Sequence, residues 1–295
     1  MAVYVLFHGF AKDGKGIAGC YDGFGAAFAA YKKLGEAAEY IPVAYGQPPP
    51  VMDPGSEVYI VDFSYSRDVM LELAGIHQKV VVLDHHKTAE AALKDLEHPN
   101  LDVTFDMEKS GAALTWRHFH ESDEPWLIRY IEDRDLWRFK LEGSLEMHTI
   151  LQSHNFDFGE WENLYQYLET PEGRSALIKE GGAIVRFRDS QVGHTCEQAV
   201  LKHVEGYYVP FCNATGMWSE VGHKLLELFP THPFAISYFI RQDNKVQLSI
   251  RSRKDFDCSV IAKKFGGGGH SQASGAEISL EDFQTIMTHG VTDGD

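Results

Sequence analysis

Short apolar runs alternate with helix-type segments over the first 140 residues, and this alternation restricts the fold more than any other feature. Residues 3–7, 57–63 and 79–83 are largely apolar runs typical of buried strands. Residues 24–34 are rich in alanine and end at Gly35, as a helix does. Because strands that alternate with helices indicate βαβ units, we predict an α/β fold with a mainly parallel sheet and helices on both faces.

The remaining elements are predicted from the same patterns. Strands are expected at residues 40–45 and 101–105, and helices at residues 67–74, 89–96 and 111–120, with Ser66, Thr88 and Ser110 as candidate caps. Beyond Trp137 the alternation stops, and residues 145–203 are mostly helical in pattern. Strands return at residues 207–212, 234–241 and 246–252, the last two as an antiparallel hairpin, and a helix near residues 280–288 follows.

These changes of pattern predict a division of the chain into three parts. Residues 1–165 form the parallel-sheet domain, residues 166–205 a helical connector, and residues 206–295 a smaller α/β domain with a mixed sheet. A homodimer is left open.

Composition and charge narrow the classes of partner. No apolar run approaches the ~18–20 residues that cross a bilayer, and the apolar run at the N-terminus is too short for a signal peptide. The four cysteines form no CxxC pair, so we expect a cytoplasmic protein without a membrane partner. With 43 acidic and 27 basic residues the net charge is −16, which argues against long duplex nucleic acid. A small anionic substrate stays compatible with this charge, because local cations can offset it.

Carboxylates and imidazoles follow three of the predicted strands. His8 comes directly after the first strand and Asp22 somewhat later, Asp62 lies at the end of the third, and Asp84-His85-His86 follow the fourth. A lone Asp or His at such a place is commonly a turn or structural residue, but a turn does not need two adjacent imidazoles. Oxygen and nitrogen donors at one sheet edge suit Mn²⁺ or a similar ion. A carboxylate such as Asp62 has two oxygens and can bridge two ions, an arrangement used to hydrolyse phosphate esters.

A phosphate-binding P-loop is an alternative interpretation of the glycine-rich stretch after the first strand. The stretch contains Gly9, Gly14 and Lys15. It departs from that motif at Gly16, where a Ser or Thr would ligate Mg²⁺. The interpretation as one half of a metal motif, with an inserted loop that could cover the site, is therefore favoured.

Two motifs resemble a known family. "VVVLDHHKTA" resembles the signature of the DHH phosphoesterase superfamily, and "LSIRSRKDFDCSVIAKKFGGGGHSQASGAEI" resembles its companion DHHA1 domain. The resemblance implies that the first domain binds two metal ions, of which Mn²⁺ is expected and Mg²⁺ or Co²⁺ are alternatives. The implied metal ligands are His8, Asp22, Asp62, His85 and Asp135, with Asp133 as an alternative to Asp135. His86 would face the scissile phosphate, and Asp84 would fix an imidazole tautomer.

One segment departs from the family pattern. The family has His-x-x-x-Asp-x-Asp, whereas here the nearest acid, Asp13, lies five residues after His8 instead of four and is followed by Lys15 instead of a second acid. An alignment that inserts eight residues keeps Asp22 at the start of the helix and places Cys20 where the middle acid would stand.

The DHHA1-like segment suggests a phosphate-binding role. Gly267, Gly268 and Gly269 would let backbone N–H groups approach a phosphate, His270 adds a polar contact, and Arg251 can hold a phosphate bidentately. A flexible linker is the alternative interpretation of the glycines. We predict a metal-dependent phosphodiesterase that cleaves short oligonucleotides or dinucleotides to mononucleotides. Alternatives are a phosphohydrolase for a nucleoside bisphosphate or polyphosphate, and a nucleotide-binding sensor with a decayed metal site.

Overall fold

The computed structural model describes residues 2–12 and 16–288, in two units, Met1–Val185 and Arg186–Asp295. Asp13, Gly14 and Lys15 of the interrupted motif lie outside the described residues. The division between the units falls within the longest helix. The finer division with a connector of residues 166–205 stays a prediction.

Five strands of the first unit form one parallel sheet. The strands of this unit are β1 Val3–His8, β2 Phe10–Lys12, β3 Gly16–Ala18, β4 Glu39–Val43, β5 Glu57–Val61, β6 Lys79–Asp84 and β7 Leu101–Phe105. The order in the sheet is β4-β1-β5-β6-β7, and every neighbouring pair is parallel. The short strands β2 and β3 pair with each other in an antiparallel hairpin, so the expected inserted loop contains regular structure.

Helices cover both faces of this sheet. They are α1 Tyr21–Leu34, α2 Arg67–Ile76, α3 Lys87–Leu93, α4 Gly111–Phe119, α5 Trp126–Asp135, α6 Ser144–Gln152, α7 Phe158–Leu168 and α8 Pro171–Cys196. Successive residues of β1 point to opposite faces. Phe7 packs in the core that contains Phe28 of α1, and Leu6 packs in the core that contains Met70 of α2. The predicted α/β fold with a two-sided parallel sheet is thereby confirmed.

The second unit contains a six-stranded mixed sheet. Its strands are β8 Val200–Val204, β9 Tyr207–Asn213, β10 Phe234–Ile240, β11 Lys245–Ser252, β12 Gly268–His270 and β13 Ala273–Ser279, in the order β12-β13-β11-β10-β9-β8. Only β9 and β10 pair in parallel among the described neighbours. The helices are α9 Trp218–Leu228, α10 Ser259–Lys264 and α11 Leu280–Thr288. The predicted mixed sheet and the β10–β11 hairpin are confirmed.

Several boundaries differ from the sequence prediction. Helix α1 begins at Tyr21, not near Phe24. This start was missed because the residue at its N-cap is Cys20, whose side chain caps no backbone N–H and which is not a typical capping residue. Helix α3 likewise begins at Lys87 after His86, ahead of the expected cap Thr88. Ser110 caps α4 by accepting a hydrogen bond from Ala113 N at 3.2 Å, as predicted.

Several elements of the second unit were not predicted, and β8 and α9 show why. Strand β8 lies where a helical pattern was expected, since this edge strand is mostly exposed and lacks a clear alternation of apolar residues. Helix α9 follows Met217 rather than a capping Ser, Thr, Asp or Asn. Among the described residues, no helix is both long and apolar enough to cross a membrane.

Candidate metal centre

The carboxyl ends of three neighbouring strands bring the predicted ligands to one edge of the sheet. Pairing in register places Phe7 beside Val61 and Val61 beside Leu83. The next residues along the chain are therefore neighbours too. These residues are His8 at the end of β1, Asp62 directly after β5 and Asp84 at the end of β6.

Asp62 lies at the centre of this group. One oxygen, Oδ1, is 3.1 Å from His85 Nε2, and the other, Oδ2, is 3.6 Å from His8 Nδ1. The same His85 nitrogen lies 3.5 Å from Asp22 Oδ2 and 3.6 Å from Asp135 Oδ2. Five side chains from five elements or their ends thus converge, and the two oxygens of Asp62 face different imidazoles.

The backbone at Asp62 is held in an uncommon conformation. Its φ is +63°, a left-handed value that Asp tolerates better than most residues. The Asp62 N–H donates to Leu83 O at 2.9 Å, and Gly111 packs so closely that a Cβ there would lie 2.5 Å from Asp62 Cβ. The carboxylate is 1% exposed. Asp62 is therefore fixed from the backbone side as well as from the ligand side.

The start of α4 orients Asp22. Its Oδ2 accepts from Gly111 N at 2.6 Å and its Oδ1 accepts from Ala112 N at 2.9 Å, so the carboxylate satisfies two N–H groups at a helix N-terminus. Gly23, next in the chain, has room for no side chain, because a Cβ would lie 2.1 Å from His8 O. The Asp-Gly pair therefore serves both to present a carboxylate and to let α1 approach the end of β1.

Burial and neighbouring charged groups shift the pKa values of Asp22, Asp62 and Asp135. Burial and the neighbouring Asp62 raise the pKa of Asp22, and the same two causes raise the pKa of Asp135. Burial would raise the pKa of Asp62 as well, but the imidazoles of His8 and His85 outweigh it and the pKa is lowered. A concentration of buried negative charge is costly without a cation, and this is the electrostatic condition of a metal site.

The side chains present also fit divalent cations in their donor chemistry. Three overlapping groups have ligand atoms within 4.8 Å of one another: His8, Cys20 and Asp62; Asp62, His85 and His86; and Asp22, His85 and Asp135. Within the described residues, the buried atoms His8 Nδ1 and Asp62 Oδ2 have no hydrogen-bond partner. Buried polar atoms rarely lack a partner. Imidazole, carboxylate and thiol donors around such atoms suit a first-row transition ion.

His86 and Asp84 form a separate hydrogen-bonded pair beside this group. Asp84 is fully buried, and its Oδ1 lies 2.7 Å from His86 Nδ1 and accepts from His85 N at 2.7 Å. The hydrogen bond to Asp84 raises the pKa of His86. The other ring nitrogen, His86 Nε2, lies 3.2 Å from the hydroxyl of Tyr45, a residue that the sequence analysis did not single out. The Tyr45 ring also contacts His8, with centroids 4.2 Å apart.

Asp133 lies apart from the ligand group although it is only two residues from Asp135. Its oxygens accept from Lys140 N at 3.0 Å and from Leu141 N at 3.1 Å, which closes the loop after α5. Of the two candidates, Asp135 is the one that the structure brings to His85.

The predicted substrate-binding residues of the second unit lie at or beside a cavity of about 940 Å³. Arg251, Gly268 and Gly269 line it. The Arg251 guanidinium donates to Ser219 Oγ at 2.8 Å and to Ile250 O at 2.9 Å, so its orientation is fixed. His270, at the exposed end of β12, is not among the described lining residues.

The glycine run is an ordered edge of the mixed sheet. Gly267 and Gly269 pack against β13, where added Cβ atoms would lie 2.1 Å from Gly275 O and 2.7 Å from Ala273 O. A Cβ on Gly268 would meet no described atom within 4 Å. Close packing against β13 therefore accounts for Gly267 and Gly269, whereas Gly268, which pairs with Gly275 of that strand, has free space beside it.

The two-sided parallel sheet with Asp and His at its carboxyl edge, together with a DHHA1-type unit, defines a class of phosphoesterase. Residues 216–289 match the DHHA1 domain family. A relative from Acanthamoeba polyphaga mimivirus, uncharacterized protein R106, is 31% identical over an aligned length of 299 residues. The alignment covers 93% of this chain and 67% of the relative. The chain belongs to the DHH phosphoesterase superfamily and carries a DHHA1 domain.

Solved structures of low sequence identity share the fold. The chain is similar to the pGpG-specific phosphodiesterase PggH from Vibrio cholerae, with 14% identity, a TM-score of 0.55 and coverage of 98% of this chain and 97% of that one. It is also similar to an exopolyphosphatase-related protein from Bacteroides fragilis, with 14% identity, a TM-score of 0.52 and coverage of 97% and 90%.

Proposed function

We propose that this protein is a metal-dependent phosphodiesterase that hydrolyses dinucleotides or short oligonucleotides to mononucleotides. The observation that carries the proposal is the convergence of His8, Asp22, Asp62, His85 and Asp135, with Asp62 facing a different imidazole through each oxygen. The name of the PggH relative, a pGpG-specific phosphodiesterase, supports the choice of a phosphodiester over a phosphomonoester.

The five converging residues would hold the metal, for which Mn²⁺ is the first candidate and Mg²⁺ and Co²⁺ the alternatives. Bound there, divalent ions would supply hydroxide at neutral pH and neutralise charge on the phosphoryl oxygens. The buried Asp62 and Asp22 are held by backbone contacts, so little reorganisation is needed when a substrate arrives.

His86 is proposed to donate a proton or hydrogen bond to the phosphoryl group. Asp84 is hydrogen-bonded to Nδ1 and favours the ring with a proton there, which leaves Nε2 to face outwards toward Tyr45 and solvent. The same hydrogen bond raises the pKa of His86, which favours the protonated ring. A protonated imidazole can stabilise charge that develops on a phosphoryl oxygen.

The second unit is proposed to bind a part of the substrate that does not react. Arg251 would contact a phosphate, and the backbone N–H groups near Gly268 would approach it where no side chain intervenes. The net charge of −16 opposes processive action on long nucleic acid and is compatible with a short substrate.

The experiment is a substrate panel with purified protein and Mn²⁺, Mg²⁺ or Co²⁺. Linear and cyclic dinucleotides, short oligonucleotides, nucleoside bisphosphate and polyphosphate are compared by release of mononucleotide or phosphate. We expect Mn²⁺-dependent release of mononucleotide from linear dinucleotides, abolished by chelation. Release of phosphate from polyphosphate alone would replace the proposal with a polyphosphatase.

Two variants separate chemistry from folding. Asp62→Asn keeps the shape and tolerates the positive φ, so it should fold while turnover falls by at least a hundredfold. Arg253→Lys is the matched control, since Arg253 donates to His232 O and Leu226 O within the second unit and should affect stability more than turnover. Tight nucleotide binding without turnover under all three metals would favour a sensor instead.

A further inference from the structure

A segment with an uncommon backbone follows Asp135 directly. Trp137 and Phe139 both have positive φ values, +54° and +48°. This conformation is rare for bulky side chains and persists where the surroundings enforce it, often at functional sites. The metal-centre residues described above do not account for it.

Asp133 enforces this conformation from the buried side of the loop. Its carboxylate accepts from Lys140 N and Leu141 N, and its carbonyl oxygen accepts from Arg138 N at 2.8 Å. Asp133 is 5% exposed, so these hydrogen bonds are shielded from water. The loop is therefore closed around one buried residue.

The outer side of the same loop is held by Arg138. Its guanidinium donates to Glu132 Oε1 at 3.0 Å and to Glu108 O at 2.6 Å. Anchors on both sides make the loop a rigid support for the side chain between them. A rigid support reduces the entropy that a ligand-binding residue loses when its ligand binds.

The side chain presented by this support is exposed. Trp137 is 62% exposed and Phe139 is 38% exposed, with ring centroids 5.1 Å apart at an angle of 87°. The Arg134 guanidinium lies over the Trp137 ring at 4.2 Å from its centroid. Trp137 thus contributes little to the core, although the loop holds it in a strained conformation. An amphipathic ring of this kind is common where a ligand binds.

Arg134 connects this aromatic pair with the metal centre. It lines a cavity of about 270 Å³ together with Asp22 and Asp135. The cavity therefore has carboxylates of the candidate metal centre on one side and the arginine that stacks on Trp137 on another. A ligand whose phosphate lies near the carboxylate group could place a planar group on the indole.

We propose that Trp137, supported by Arg134, stacks on a nucleobase of the substrate, and that Asp133 is a positioning residue for this contact. The inference rests on the proposed phosphodiesterase function and names the substrate class, a nucleotide rather than a phosphate chain without bases. Stacking accepts any base, because every base has a π face, and one stacked base contributes about tenfold to hundredfold in affinity. The site therefore selects for the presence of a base and not for its identity.

The test compares AMP with ribose 5-phosphate, which carries the same sugar phosphate and no base. Binding to the full-length protein with Mn²⁺ is measured by calorimetry for the wild type, Trp137→Ala and Trp137→Phe. We expect AMP to bind about tenfold to hundredfold more tightly than ribose 5-phosphate to the wild type. Trp137→Ala should remove most of this preference at unchanged affinity for ribose 5-phosphate, and Trp137→Phe should retain most of it.

Tyr167→Ala is the matched control, because Tyr167 of α7 is a 48% exposed aromatic residue of the same unit. Its AMP preference should equal that of the wild type. The inference is overturned if Trp137→Ala keeps the preference, or if it alters sedimentation of the protein but not AMP binding, since Trp137 would then contact a second copy. AMP binding that depends on Trp137, without hydrolysis of any dinucleotide, would support the inference and refute the proposed hydrolysis.

Discussion

Gly111→Ala is a small substitution that should disable the metal centre. Gly111 is the first residue of α4, and it has no positive φ that would exclude alanine. A Cβ at this position would lie 2.5 Å from Asp62 Cβ and 2.8 Å from Asp62 Cα. Ordinary contacts begin near 3.4 Å, so the two residues must separate by about 0.9 Å.

Asp62 cannot absorb this displacement without moving its carboxylate. Its positive φ and the hydrogen bond from its N–H to Leu83 O tie it to the sheet edge. Metal–ligand distances tolerate about 0.2 Å and catalytic groups about 0.5 Å, both less than the required shift. We expect Mn²⁺ affinity to fall by roughly tenfold to a hundredfold and turnover by about a hundredfold.

Unfolding of the Gly111→Ala variant would be an alternative explanation of lost metal binding and turnover. The expected change in the free energy of unfolding argues against it. Overpacking costs about 1–3 kcal/mol, and replacing a helical glycine by alanine contributes about 0.5–1 kcal/mol in the opposite direction. The net cost is smaller than the 5–15 kcal/mol by which domains are typically stable. Circular dichroism and thermal melting without metal should therefore show a folded protein.

The matched control is Gly75→Ala near the end of α2, where an added Cβ would meet no described atom within 4 Å. We expect a melting temperature raised by roughly 2 °C and unchanged Mn²⁺ binding by calorimetry. Wild-type Mn²⁺ affinity and turnover in Gly111→Ala would refute the argument that close packing of α4 on Asp62 sets the ligand geometry.

Four further variants test other parts of the site. Asp135→Asn should raise the melting temperature of the metal-free protein at pH 7, because the raised pKa of Asp135 means that its charged carboxylate destabilises the folded state. This gain should vanish below about pH 4, where the carboxyl is protonated in both the folded and the unfolded state. The same variant should reduce the stabilisation by Mn²⁺, about 2.7 kcal/mol at a hundredfold excess over Kd for a full site. Gly267→Ala should lower the melting temperature by several degrees, whereas Gly268→Ala should leave it near the wild-type value and weaken substrate binding. Arg251→Lys should raise KM for a dinucleotide about tenfold with little change in kcat, as measured by initial rates, because a point charge replaces a bidentate contact.

The sheet and the position of the candidate site could be predicted because both follow from local patterns. Apolar runs with helices between them define a parallel sheet, and parallel register then brings the residues after each strand together. This argument alone predicts that His8, Asp62 and Asp84 lie close together. The strand pairs that place them, Phe7 with Val61 and Val61 with Leu83, are seen in the structure.

Features that depend on distant backbone contacts could not be predicted. The resemblance favours Asp135 over Asp133, but the physical difference is seen only in the structure, where Asp133 accepts from the N–H groups of Lys140 and Leu141 and Asp135 lies beside His85. Tyr45 follows β4, and its contact with His8 depends on the sheet order rather than on any motif. Gly111 contributes through the absence of a side chain, which a sequence pattern does not reveal.

Cys20 illustrates how the candidate centre can remain folded without a cation. The thiol lies with His8 and Asp62, at the place where the family pattern has an acid. Burial and the charge of Asp62 raise its pKa, so it stays neutral in the metal-free protein. An aspartate there would add a further negative charge beside Asp62, with the corresponding repulsion. The thiol would become a thiolate ligand only with a cation to compensate for the charge, so Cys20 would lower the cost of the empty state while keeping a donor available.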